Sequence, residues 1–371
     1  MKKSIIIFSG YNQRAVIAFL RTLASTTVQY AIIAYSKDDP IFLTAYARNV
    51  LAVREEKALA LSDIIRSIKT VKESLKSNKY VIAPSTESLN RFLLQNRKEL
   101  EENDCEIPLV DESLYESISD KFKFNEICVR GNILVPQEYK RIEEARIPYV
   151  VKPIKYRAEN DGTNSPLLIL EKKDHNLFIE QYKSEEFYFQ EFLNGDSFYL
   201  LYYFHRDGSI SKLSQQNYMQ QPRGKSIIAA QSSDFHKTNE SLKYEKLFKS
   251  LNFFGLVMVE VKRKEGANYM IEANPRFWGP SQLFVDAGIN LFNSFLYDFS
   301  LIDEKPSPRE LSKKIKYFWF GGFVQTLVSN GRITYHSYTS DQYATHLPEW
   351  LSADIYNRDD TRELFKQEVK I

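Results

Sequence analysis

The sequence predicts an α/β chain whose N-terminal part is a helix-covered parallel sheet and whose larger remainder is α+β. Three observations carry that reading. Over the first hundred residues, apolar runs of strand length alternate with segments of helical spacing, which is the pattern of βαβ units. From about Asp111 the character changes, and shorter, aromatic-rich strands replace the buried runs. Around Gly266, two strands flank a tight turn and set like charges side by side.

Taken in order, residues 4–9 (SIIIFS) are a continuous apolar run and read as a buried strand. Residues 14–23 carry Ala15, Ile17, Ala18 and Leu20 at helical spacing, and residues 30–35 (YAIIAY) are a second buried strand. A helix is expected over 55–75, a strand over 80–83, a helix over 88–100 and a short strand over 107–110. Beyond the change at Asp111, Asp120-Lys121 opens a helix over 122–129 and Gly131 stops it. Residues 148–151 form a strand ending in Lys152-Pro153, and the polar stretch 154–166 separates it from residues 167–170. Strands are expected at 187–192 and 197–204, with a turn at Asp207-Gly208. Residues 209–237 are polar and give no assignable pattern. A helix over 242–251 then leads into strands 255–263 and 268–274. A soft boundary falls at 303–308 (DEKPSP), and the last 60 residues mix aromatic strands with a charged terminal helix.

A length of 371 residues implies two or three domains at roughly 150 residues each. Hydrophobic residues at 43% and charged residues at 26% are the ordinary globular mix, which excludes disordered and fibrous classes. Fifty basic against 48 acidic residues leave a formal charge of +2, too little to mark a nucleic-acid or anionic-membrane partner. Cys105 and Cys128 form no CxxC pair, so neither a disulfide framework nor a cysteine zinc site organises the chain. The opening apolar run is too short for a signal or a membrane span, and no other stretch approaches 18 apolar residues, so a cytoplasmic protein is expected. The loop after the first strand, Gly10-Tyr11-Asn12-Gln13-Arg14, holds one glycine where a dinucleotide site needs GxGxxG. A nicotinamide dehydrogenase therefore has little support. The five histidines form no metal-ligand pair, and no GxSxG is present.

The chemistry concentrates in the hairpin of residues 255–276. Side chains alternate along a strand, so Val257, Val259 and Val261 share one face while Met258, Glu260 and Lys262 take the other. On the second strand, Met270, Glu272, Asn274 and Arg276 are expected on one face. A turn centred on Gly266 puts Glu260 across from Glu272, about 5 Å apart at Cβ. Facing carboxylates repel, and a divalent cation between them reverses the sign of that interaction. Asn274 adds a neutral oxygen, a donor set suited to Mg²⁺ or Mn²⁺, and Arg276 offers a planar fork to phosphate or carboxylate. Without a metal, replacing Glu272 by Gln should relieve the repulsion. The competing reading is an exposed hairpin with a charged outer face. Composition does not decide between the two, although Phe277-Trp278-Gly279 is too aromatic for a free surface turn.

The run from Glu260 through Ile271-Glu272-Ala273-Asn274-Pro275-Arg276-Phe277-Trp278 resembles the metal-binding hairpin of the ATP-grasp superfamily. The likeness is strongest to the carboxylate–amine ligases and to the carbamoyl-phosphate-synthase and biotin-carboxylase branch. It extends over most of the chain. Ser119-Asp120-Lys121 with Phe124 and Val135-Pro136 is similar to the family's entry into the nucleotide domain. Val150-Val151-Lys152-Pro153 resembles its phosphate-lysine strand, and Phe189-Gln190-Glu191-Phe192-Leu193-Asn194-Gly195 its adenine hinge. Lys121, Lys152, Glu191, Glu260 and Glu272 follow in the family's order.

The resemblance implies an ATP-grasp fold with an N-terminal Rossmann-like (pre-ATP-grasp) domain at 1–114 and an ATP-grasp domain at 115–303. That domain divides into a lid part (about 115–190) and a metal-hairpin part (about 191–303), and 304–371 pack on it as a C-terminal segment. It also implies roles. Lys121 and Lys152 would sit on the nucleotide phosphates, with Lys152 also catalytic. Gln190, Glu191, Phe192 and Leu193 would meet the adenine, through hinge backbone and the Glu191 side chain, and Asp196 would reach the ribose. Glu260, Glu272 and Asn274 would hold Mg²⁺ (or Mn²⁺), and Arg276 would steady an acyl phosphate. One departure is the phosphate-covering loop 154–166, usually glycine-rich, which here has only Gly162 and carries Lys155, Tyr156 and Arg157. The implied activity is ATP-dependent ligation of a small-molecule carboxylate (amino acid, peptide or sugar acid) to an amine. The alternative is an ATP-binding regulatory module with weak or no turnover. A homodimer is the default assembly.

Overall fold

The structure is a computed structural model and describes residues 2–154, 166–307 and 309–370. The first sheet consists of β1 (Lys3–Phe8), β2 (Tyr30–Ala34), β3 (Val50–Val53), β4 (Lys79–Ile82) and β5 (Cys105–Glu106), all parallel, in the order β3-β2-β1-β4-β5. Ile5, Ile6 and Ile7 are wholly buried because helices cover both faces, which is why the run is continuously apolar. Strand order reverses between β1 and β4, and such a reversal opens a crevice at the carboxyl ends of the strands. The single glycine of the first loop serves close packing. Gly10 has φ +91°, and a Cβ there would lie 2.3 Å from that of Tyr35.

The elements differ from expectation in three places here. Residues 50–53 add an edge strand, and the following helix is the shorter Leu61–Ser74. The helix expected over 88–100 breaks at Asn96 into Glu87–Gln95 and Arg97–Glu102. The strand expected at 107–110 pairs instead at 105–106, because Pro108 has no N–H to give the ladder.

A second, antiparallel sheet holds β6 (Glu138–Tyr139), β7 (Tyr149–Pro153), β8 (Leu167–Ile169) and β9 (Phe187–Glu191), in the order β6-β9-β7-β8. Tyr149, Val151, Phe187 and Phe189 pack with Phe178 of the helix Lys172–Gln181 in a small core of their own. By alternation, Val150, Lys152, Tyr188 and Gln190 face the other way.

The third sheet is antiparallel and seven-stranded. β10 (Asp196–Phe204), β11 (Ile210–Gln220), β12 (Ile227–Ser233), β13 (Gly255–Lys264), β14 (Ala267–Asn274) and β15 (Lys316–Phe318) run in the order β14-β13-β10-β11-β12-β15, and β16 (Thr334–Tyr335) pairs with β11. The stretch 209–237 is thus a strand pair, not a loop. Its inner face is polar: Gln215 and Asn217 are fully buried, which is the pattern that imitates an exposed loop in sequence.

The terminal helix Arg362–Glu368 docks by Glu368, whose carboxylate accepts from Trp319 Nε1 at 2.8 Å. Burial pushes the Glu368 carboxyl up to about 7, against the pull of Trp319 and Arg14. A carboxyl raised in the folded state favours folding below its unfolded pKa, and that contribution is lost as pH rises to 7. Glu368→Gln should therefore flatten the decline of melting temperature between about pH 4.5 and 7. Melting curves across that range test it, and a slope unchanged from the parent would refute the assignment.

Candidate functional site

A cavity of about 840 Å³ lies between the outward face of the four-stranded sheet and the seven-stranded sheet. Lys121, Lys152, Gln190, Glu191, Phe192, Leu193, Glu260 and Glu272 all line it. Residues spread over 150 positions of sequence therefore meet at one place.

Lys121 arrives on the first turn of the helix Lys121–Arg130. Asp120 caps that helix, its carboxylate accepting from the Phe122 and Lys123 amides at 3.0 and 2.9 Å. Glu260 and Glu272 are directly paired across β13 and β14, although the two-residue turn Glu265-Gly266 sets Lys264 against Ala267 and by itself would bring Ile271 opposite Glu260. The second strand is not regular, however. Register shifts between Glu260 and Val261, so Ile271 is a bulged, unpaired residue and Met270 pairs with Val261 in the core. Met270 was expected beside Glu272, and the bulge turns it to the opposite face. The freed Ile271 carbonyl accepts from Lys152 Nζ at 3.3 Å.

The two carboxylates are in different states. Glu272 Oε2 is 2.7 Å from Lys121 Nζ, and its Oε1 accepts from Asn274 Nδ2 at 2.8 Å. Burial acts to raise Glu272, but Lys121, Asn274 and Lys152 outweigh it and hold it well below the usual range. Glu260 is 7% exposed and has no hydrogen-bonded partner among the described residues. Burial and the Glu272 charge push it up. The expectation that Glu272→Gln would relieve repulsion thus falls on the wrong partner. Glu272 is the paired member, and Glu260 carries the strain. Burial and the neighbouring Lys121 push Lys152 down to about 7, against the attraction of Glu272 and Glu260. Asn274 Oδ1 accepts from the Arg276 guanidinium at 3.1 Å, and Arg276 also donates to the Phe277 carbonyl at 2.9 Å. Arg276 and Asn274 therefore flank the carboxylates without lining the cavity.

At the hinge, Glu191 Oε1 is held by Lys264 Nζ at 2.6 Å. Lys262 Nζ donates to the Leu193 carbonyl at 3.3 Å and lies 5.7 Å from the Phe192 ring. Asp196 is not brought to the cavity, and it accepts a hydrogen bond from the Ser337 hydroxyl. Lys155, Tyr156, Arg157 and Gly162 of the covering loop lie outside the described residues.

Sequence reading did not single out Lys262, Gln220, Arg332 or His336 for this cavity, yet they line it. His336 Nε2 lies 2.9 Å from Gln220 Oε1, and burial with Lys262 nearby pushes the imidazole down to about 3, so it is neutral. Lys262 was legible as the third member of the Met258–Glu260–Lys262 face. His336 had no signal, because only the β11–β16 pairing brings it there.

Among the described residues, no group of three His, Cys, Asp or Glu side chains is poised for a metal, and no helix is long and apolar enough to cross a membrane. The metal candidate is therefore two carboxylates and one amide.

No protein-family model and no curated protein matches the sequence. Solved structures do match. The ADP complex of an N5-carboxyaminoimidazole ribonucleotide synthetase superposes with a TM-score of 0.65 at 15% identity, covering 89% of this chain and 85% of that one. The ADP-complexed N5-carboxyaminoimidazole synthetase from Staphylococcus aureus gives 0.61 at 16% identity, over 88% and 85%. The biotin carboxylase from Campylobacter jejuni gives 0.61 at 14% identity, over 86% and 75%. Both kinds of protein are ATP-grasp enzymes, and at these identities the superpositions, over 75–85% of the solved chains, show a shared fold. The fold of this chain is the ATP-grasp fold.

Proposed function

We propose that the chain is an ATP- and Mg²⁺-dependent carboxylate–amine ligase that forms an amide through an acyl phosphate. The observation that carries the reading is the meeting of Lys121 and Lys152 with the facing Glu260 and Glu272 in one cavity. A buried carboxylate without a donor among the described residues, opposite a second carboxylate, fits a divalent cation that keeps open positions for phosphate oxygens. Glu260 and Glu272 would hold Mg²⁺, with Mn²⁺ the substitute, and Asn274 would join by turning its oxygen from Arg276. The ion would neutralise charge on the phosphates.

The chain's own part is positioning and charge. Lys121 would leave Glu272 for a phosphate oxygen, and Lys152, already in the cavity, would bind another. The hinge at Glu191–Leu193 would present backbone to the base. A substrate carboxylate oxygen would then attack the γ-phosphorus, with ADP leaving, and an amine nitrogen would displace phosphate from the acyl carbon. Arg276 would steady that acyl phosphate. The acceptor fits the crevice at the β1/β4 reversal, about 1120 Å³, lined by Ser9, Tyr35, Arg54, Ser85, Arg91 and Lys123. In this reading 1–114 bear the acceptor, 115–303 the nucleotide and 304–371 the far wall of the nucleotide cavity.

ADP and phosphate release, assayed with Mg·ATP against a panel of carboxylates and amines, tests the proposal. Release that requires both partners is the expected result. Nucleotide binding without release under any pairing would overturn it in favour of an ATP-binding module without turnover.

A further inference from the structure

The crevice at the β1/β4 reversal is charged at its two ends and apolar between them, and the ends differ in sign. At the β3 end lie Arg54 and Lys57. Arg54 is 7% exposed and fixed in place, its Nε 3.3 Å from the Asp63 carboxylate. Its Nη2 donates to the Glu56 carbonyl at 2.9 Å and to that of Ala58, while Nη1 has no hydrogen-bonded partner among the described residues. Asp63 is shared further, accepting from the Glu55 amide at 3.1 Å. Lys57 is exposed and forms no ion pair among the described residues. Two cations thus share one partly engaged carboxylate, and this end is left positive. The opposite end, on the β4 side, sets Glu116, Asp120 and Glu126 against Arg91 and Lys123 and is left negative. Glu116 lies 3.5 Å from Arg91 and 3.7 Å from Lys123. Between the ends, Phe8, Tyr11 and Tyr35 line the crevice from the ends of β1 and β2, the two tyrosine rings 4.9 Å apart and edge to face.

We propose that this crevice takes a short peptide as the amine substrate, its N-terminal nitrogen at the acidic end and its C-terminal carboxylate held by Arg54 and Lys57. This rests on the reading of the chain as an ATP-dependent ligase whose acceptor occupies the crevice. Orientation follows from the phosphate site. Asp120 directly precedes Lys121, which lines the nucleotide cavity, so the acidic end adjoins the place where the amide would form. That end attracts an ammonium and repels a carboxylate. There the ammonium gives one proton to a carboxylate of the crevice, and the free amine attacks the acyl carbon. Phosphate leaves with the bonding pair, and the second proton passes to solvent. Length follows from the sheet. The order β3-β2-β1-β4 separates the Arg54 end from the β4 side by three strand spacings, roughly 14 Å at about 4.8 Å each. An extended chain covers that span in about four residues, whereas a single amino acid holds its amine and carboxylate too close together to reach both ends. The rings in the middle favour apolar side chains over the hydroxyls of a sugar acid. A guanidinium already fixed by its own partners loses little freedom on receiving a carboxylate.

The experiment measures ADP release by the intact protein with Mg·ATP and a panel of carboxylates. The amines are the tetrapeptide glycyl-phenylalanyl-phenylalanyl-glycine, its C-terminal amide, free phenylalanine and phenethylamine. The tetrapeptide should exceed its amide by about tenfold in kcat/KM, carried by KM, the effect of one charged hydrogen bond. Phenylalanine and phenethylamine should do no better than the amide. Lys57→Met and Arg54→Gln should each narrow the tenfold ratio. Lys57 is exposed, so its variant keeps the test open if Arg54→Gln, which strands Asp63, folds poorly. Equal use of the tetrapeptide and its amide, or release driven only by phenethylamine, overturns this proposal and leaves the ligase reading standing. Phenylalanine that matches the tetrapeptide does the same, because nothing then spans the crevice. A preference that Lys57→Met leaves undiminished also overturns it, since the carboxylate would then be bound elsewhere. Absence of ADP release with every amine overturns the ligase reading, and this proposal with it.

Discussion

Glu272→Gln is expected to abolish ADP formation and to lower the melting temperature, whereas Glu260→Gln should abolish ADP formation with melting unchanged or raised. The contrast follows from their different partners. Glu272 gives its two oxygens to Lys121 and Asn274, and its side chain is 21% exposed. Removing its charge leaves the Lys121 ammonium facing a neutral amide, a loss of about 1–2 kcal/mol, toward the low end for charged hydrogen bonds because water reaches the pair. Glu260 has no such partner among the described residues, and its charge is opposed by burial and by Glu272. Neutralising it removes a repulsion. Both substitutions delete one of the charges that would hold Mg²⁺, so both should end turnover. Thermal melts of the apo protein and ADP release by the same samples provide the two readouts. A Glu272→Gln protein that turns over at the parental rate would sink the metal assignment, and equal melting of the two variants would sink the assignment of partners.

Lys152→Met should weaken ATP binding by about 1.5–3 kcal/mol, roughly ten- to a hundredfold, while leaving the fold intact or firmer. Lys152 is 4% exposed, and among the described residues its ammonium is held by a single 3.3 Å bond to the Ile271 carbonyl. Burial and the like charge of Lys121 both act against it. A buried cation so thinly partnered is a cost to the empty protein and a gain once an anion enters. Methionine keeps the stem and drops the charge. Calorimetry with Mg·ATP, paired with melting curves, checks both halves. Unchanged affinity in a well-folded variant would remove Lys152 from the phosphate site.

Much of this was legible in the residues, for identifiable reasons. A β-hairpin is close to a mirror about its turn, so a turn centred on Gly266 pairs Glu260 with Glu272; the turn is in fact Glu265-Gly266, one half-step off, and the bulge at Ile271 restores that pairing. Asp120 before Lys121 is a helix cap that any sequence would show. The bulge at Ile271 was not legible, because a bulge changes neither composition nor the run of strand-forming residues. It nonetheless decides where Met270 points and which carbonyl meets Lys152. The polar face of β11 was missed because pattern reading equates buried with apolar, and Gln215 and Asn217 are buried and polar. The hinge reading put its emphasis on Glu191, whose charge drew attention, while Lys264 holds that charge and, among the described residues, Gln190 is the side chain left open.

The pairing of β16 with β11 also sets an order in time. A chain made from its N-terminus has Lys121, Lys152, Gln190 and both carboxylates in hand well before residues 334–336 emerge. At about 5–20 residues per second, the interval from Asn274 to His336 lasts on the order of several seconds. Until then β11 lacks its partner at Met219 and Gln220, and β12 has an open edge where β15 will pair. An unpaired strand edge is the kind of surface to which other chains add strands. Until those residues emerge the nascent protein is open to misassociation along that edge, and a chain cut short before residue 316 would keep it permanently.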